Sequence, residues 1–178
     1  MSTREGTTTT PMAEPGEPGP TGVDDETFRD AMAGWASTVT VVAVRDMDDG
    51  RVHATTVSSF APVSSEPPEV VVSLNPNAQA LPFVREGGSL GISLLAEGQT
   101  RWARVFADPF PVGPMPWTDV GIPVVPGAAV ALECAVRAVH ATEGGSRLVV
   151  ARVLGISGGE TDRPLLYWQR GYHRLVDD

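Results

Sequence analysis

Six runs of β-branched and apolar residues, separated by turns bearing Gly, Asp or Pro, commit this chain to a series of short antiparallel strands. The runs are 37–45, 52–59, 70–74, 89–95, 129–141 and 147–156. Asp48-Asp49-Gly50 closes a hairpin between the first two, and Glu143-Gly144-Gly145 closes one between the last two. Gly87-Gly88 turns the chain into the 89–95 run. Pro67-Pro68 precedes Val70-Val71-Val72-Ser73-Leu74, an almost unbroken apolar run expected to be buried on both faces. Such a pattern, with few helices, predicts a barrel or sandwich.

Helical signals are sparse. Asp24 suits the N-cap of a helix reaching Gly34, with Phe28, Ala31, Met32 and Trp35 at helical spacing. Residues 100–106 form a second, burying Trp102, Val105 and Phe106. Residues 77–85 are expected to hold a short helix, limited by Pro82. Residues 108–126 are Pro-rich and aperiodic, a length of loop that often covers or edges a binding site. Residues 1–22, rich in Thr, Pro, Gly and Glu, are expected to be a disordered tail before one folded domain over 23–178.

Several functions are disfavoured. A formal net charge of -9 opposes nucleic-acid binding, which needs clustered cations on phosphate. No apolar stretch is long enough to cross a bilayer as a helix, and the start lacks a secretory pattern, so a cytoplasmic location is expected. The lone Cys134 lies in an apolar run and reads as a small buried hydrophobe. Gly87-Gly88-Ser89-Leu90-Gly91 matches a nucleophile-elbow pattern, yet a strand rather than a helix follows it. His53, His140 and His173 show no metal-ligand spacing, so no metal site is expected. No glycine-rich nucleotide loop follows a strand.

The order of local motifs is more telling. Thr56-Val57-Ser58-Ser59-Phe60, Pro67-Pro68-Glu69 running into Leu74-Asn75, Leu90-Gly91-Ile92-Ser93-Leu94-Leu95, Gly121-Ile122-Pro123, Leu132-Glu133-Cys134, and the closing Arg170-Gly171-Tyr172-His173-Arg174-Leu175 occur in sequence. Together they resemble the flavin reductase-like family from about Phe28 to Leu175. The resemblance implies a mainly β fold: an antiparallel, FMN-binding split barrel with a few short helices.

It also implies an NAD(P)H:flavin oxidoreductase, working as a homodimer and handing reduced FMN or FAD to a monooxygenase component. Thr40, Thr55, Thr56, Val57, Ser58 and Ser59 would hold the isoalloxazine edge, and Leu74, Asn75, Ala78 and Ala80 would lie along the ribityl phosphate. Phe106, Ser146, Trp168 and Tyr172 would complete the flavin and nicotinamide surfaces, with no side chain essential as acid or base. Hydride would pass from nicotinamide to flavin, the cofactors supplying the difficult chemistry.

Departures from the family pattern all fall on the ligand side. Ala78 and Ala80 stand where an N-x-x-S-x-T pattern carries phosphate-binding hydroxyls, and Ser146 stands where a histidine is common. Arg85 or Arg104 could take over the phosphate. A second reading therefore stays open: a diverged barrel without reductase activity, binding another conjugated or apolar ligand, such as a biosynthetic cyclase would.

Overall fold

A computed structural model describes residues 22–117, 121–158 and 163–176. The tail expected over 1–22 lies, except for Gly22, outside the described residues. Two compact units are distinguished, residues 1–32 and 33–178. In the first, the Asp24 carboxylate accepts from the Thr27 amide at 2.9 Å and starts helix α1, Asp25–Ala33. Those bonds from Thr27 hold the Asp24 carboxyl below its usual range. An ion pair of Asp25 with Arg29, one turn apart, follows.

The second unit holds ten strands. Seven form one antiparallel sheet: β2 Thr40–Arg45, β3 Val52–Val57, β4 Phe60–Ser65, β5 Pro68–Leu74, β6 Ser89–Leu94, β7 Val130–Ala141 and β8 Arg147–Gly158, in the order β3-β2-β6-β7-β8-β5-β4. The outermost strands, β3 and β4, are joined by Ser58 and Ser59 alone, so the sheet must curl until its ends meet. Contact between β3 and β5 records that closure. Strands β1 Ser37–Thr38, β9 Leu166–Trp168 and β10 Gly171–His173 make a separate three-stranded sheet.

Side chains alternate between two cores. Val42, Val44, Val72, Leu74, Leu90, Ile92, Cys134 and Val149 fill the barrel. Val41, Ala43, Ala54, Ala103, Phe106, Val125 and Leu165 fill a second layer beneath helix α2, Thr100–Val105. Cys134 is fully buried, and burial pushes its thiol up to about 11, so it serves as packing.

Three expectations need correction. The 70–74 run buries only Val70, Val72 and Leu74, while Val71 and Ser73 are half-exposed, because β5 is covered on one face only. It is β2, lying under α2 and over the barrel core, that is buried on both. The helix expected in 77–85 is a single 3-10 turn, Leu81–Phe83. Strand β4 was not anticipated, since Pro62 and an exposed side-chain row disguise an edge strand.

One close approach fixes a loop segment on the sheet. Residues 121–125 cross the outer face of β6, where the Pro123 carbonyl lies 1.8 Å from the place a side-chain Cβ on Gly91 would occupy. Two residues on, the buried Ser93 hydroxyl accepts from the Val125 amide at 2.9 Å. A glycine and a small hydroxyl thus let this segment lie flat on the sheet and pin it there.

Candidate functional site

Strand β3 has an open edge. Asp46 N donates to Arg51 O, and Thr56 N donates away from the sheet to Phe106 O at 2.9 Å. Antiparallel alternation then turns the main-chain groups of Val52 and Ala54 outward as well. A cavity of about 220 Å³ lies beside them, lined by Val52, His53, Ala54, Gln79, Phe106, Pro111, Met115 and Trp117. Phe106 and Trp117 stand 5.0 Å apart as its aromatic wall. Helix α2 is fastened to β3 by the Thr56 hydroxyl, which donates to Ala103 O at 2.9 Å. Pro111, Met115 and Trp117 come from the Pro-rich stretch, so that loop does edge a hollow.

The residues singled out in the sequence separate into four places. Phe106 alone lines this cavity. Thr40, Thr55 and Val57 share the inner face of the barrel wall, where Thr40 pairs with Val57. The Thr40 hydroxyl is fully buried there with no hydrogen-bond partner among the described residues.

Ser58, Ser59, Asn75 and Ser146 gather at the ends of β4, β5 and β8, as the pairings of Phe60 with Val72 and Leu74 with Arg147 require. Ser59 is occupied: it donates to Ser73 O at 2.7 Å and accepts from Ser73 N at 3.1 Å. Asn75 caps its own turn by accepting from Asn77 N at 2.9 Å. Leu74, Ala78 and Ala80 point into the barrel core, leaving only main chain for a ligand.

Tyr172 packs edge-on to Tyr167, with Arg104 above its ring, in the small sheet. Burial raises the Tyr172 hydroxyl pKa, Tyr167 adds to the shift, and Arg104 opposes it. Trp168, 44% exposed, contacts His173. Gln79 fell at an unspecified position between Ala78 and Ala80 of the family pattern, and for Pro111 and Met115 loop length was the sole signal.

A second cavity of about 560 Å³ lies between the β2–β3 turn, residues 83–89 and residues 121–123. Arg85 lines it. Among the described residues, no three metal-ligating side chains converge, and no helix is long and apolar enough to cross a membrane.

An antiparallel barrel with an apolar hollow and a few main-chain polar groups at an open strand edge defines a small-molecule-binding protein. Residues 32–176 match the flavin reductase like domain. The chain belongs to that family. It is 37% identical over 153 residues to the reductase component of 4-hydroxyphenylacetate 3-monooxygenase from Thermus thermophilus, covering 85% of this chain and 97% of that one. It is 34% identical over 164 residues to the NADH:riboflavin 5'-phosphate oxidoreductase of Streptomyces pristinaespiralis, covering 88% and 92%. The solved structure of the styrene monooxygenase flavin reductase from Pseudomonas putida S12 superposes with a TM-score of 0.73 at 30% identity, covering 85% and 99%.

Proposed function

We propose that this protein is an NADH-dependent flavin reductase that supplies reduced FMN or FAD to a separate monooxygenase. The cavity at the open edge of β3 carries the reading. The donor set fits a flavin: outward main-chain groups at Val52 and Ala54 suit the ring's polar edge, and Phe106 and Trp117 suit its faces. When bound, flavin supplies the two-electron acceptor for the hydride of a reduced nicotinamide.

The chain's own part is positioning. The β3 edge orients the ring, the 111–117 segment excludes water, and α2, tied through Thr56, holds both in register. Among the described residues, His53 is the one ionisable side chain lining the cavity, and its ring is stacked on Phe83 at 3.6 Å.

Purified protein given FMN or FAD should oxidise NADH well above the protein-free rate. A rate equal to that control at saturating flavin overturns the proposal. It would favour the diverged-barrel reading, since the Phe106–Trp117 wall would also suit another conjugated ligand.

We also infer a homodimer. The outer face of β8 leaves Leu154 and Ile156 64% and 71% exposed, an apolar row of the kind that a second copy covers. Light scattering should give twice the chain mass, and Ile156→Glu should give the single-chain mass; a wild-type monomer at micromolar concentration rejects the dimer. The buried free Cys134 suits the reducing cytoplasm in which we place the protein.

A further inference from the structure

The larger cavity takes no part in the reading above, yet its chemistry is specific. Its volume of about 560 Å³ lies within the usual range for small-molecule sites. Phe83, Ile122 and Pro123 give it apolar walls. Of its charged side chains, Arg45 donates to the carbonyls of Gly50 and Gly121, and Glu86 accepts from Val139 N. Asp46 accepts from Asp48 N.

Arg85 differs. Its main-chain carbonyl accepts from Gly88 N, but its side chain is exposed at the cavity and makes no hydrogen bond or ion pair among the described residues, in a chain whose net charge is -9. A guanidinium without a carboxylate partner beside an apolar hollow suits a ligand joining a flat ring to a phosphate. The two cavities are also neighbours. His53 lines the smaller one, Phe83 lines the larger one, and their rings are stacked at 3.6 Å with an interplanar angle of 13°. The stacked pair therefore joins the linings of the two cavities.

We propose that the larger cavity is a nucleotide site that takes the adenylate half of a dinucleotide, FAD or NADH, with Arg85 on its phosphate and the purine against Phe83. This rests on the flavin reductase reading, which places the reacting rings in the smaller cavity that His53 lines. The assignment makes Arg85 a determinant of dinucleotide affinity and leaves FMN outside its reach.

The test compares wild type with Arg85→Gln, a change at an exposed side chain that should leave the thermal melt unmoved. FAD and FMN affinities are read by flavin fluorescence, the KM for NADH with FMN as acceptor, and AMP binding by calorimetry. Loss of one charge-assisted phosphate contact should weaken FAD, or raise the KM for NADH, by about tenfold, with kcat and FMN affinity within about twofold of wild type. A loss confined to FAD assigns the adenylate to the flavin; a loss confined to NADH assigns it to the nicotinamide substrate. Equal weakening of FMN and FAD overturns the proposal, because Arg85 would then hold the phosphate common to both. No change in any ligand, in an enzyme that still oxidises NADH, also overturns it while the reductase reading stands. Should wild type fail to oxidise NADH, the reductase reading falls, and AMP binding abolished by Arg85→Gln still supports a nucleotide site, whereas AMP binding unchanged or absent rejects it.

Discussion

Gly91→Ala should lower the thermal midpoint by about 6–12 °C, the shift expected for a loss of about 3 kcal/mol in a domain of this size. The added methyl would sit 1.8 Å from the Pro123 carbonyl oxygen and 2.8 Å from its carbon. Neither side can yield cheaply. Strand β6 is hydrogen-bonded between β2 and β7, and the crossing segment is held by Val125 N on Ser93 Oγ and by Arg45 on Gly121 O. Lifting the segment to admit the methyl adds overpacking strain of about 1–3 kcal/mol and leaves the buried Val125 amide or Ser93 hydroxyl short of a partner, worth about 1–3 kcal/mol more. Gly98, with nothing within 4 Å of an added Cβ, is the matched control, and Gly98→Ala should melt within about 2 °C of wild type. If Gly91→Ala behaves like that control, the close crossing is wrong.

Gln79→Trp should weaken flavin binding by at least about a hundredfold, or about 2.7 kcal/mol, with little change in the melt. Gln79 is half-buried, its side chain makes no hydrogen bond among the described residues, and it lines the smaller cavity opposite Ala54 and Phe106. An indole there would occupy much of about 220 Å³ and compete with any ring placed against the β3 edge. NADH oxidation with added flavin should fall in step. Unchanged flavin affinity in a folded Gln79→Trp protein would remove the smaller cavity as the ring site and with it the geometric basis of the proposed function.

Strand periods were legible because side-chain alternation is a local property. The 129–141 and 147–156 runs became β7 and β8 within two residues at each end, and Gly50 and Gly145, both with positive φ, made the turns expected of them. Strand β4 was hidden for an equally local reason: an edge strand with one exposed face, carrying Pro62, Ser64 and Ser65, has the composition of a loop. Strands β9 and β10, three residues each, are too short to show a period.

The site was legible only as an inventory. The hydroxyl-rich 55–59 segment includes the end of the edge strand β3, and two of its hydroxyls, those of Thr56 and Ser59, have partners inside the protein. Thr56 reaches Ala103 across 47 positions of sequence, and Ser59 closes on the Ser73 main chain. The residues of the same strand that line the smaller cavity are Val52, His53 and Ala54, whose sequence resembles any other half-buried strand.

By itself, then, the sequence determined that this chain would alternate short strands and turns, bury Cys134, and carry the ordered motifs of a flavin reductase barrel. Which main-chain edge stays unpaired, and which loops wall the hollow beside it, were decided only in three dimensions. The reason is physical: a strand's period is written in neighbouring residues, whereas a cavity is the space left where β3, Gln79, Phe106 and the 111–117 segment meet, and no local pattern encodes that meeting.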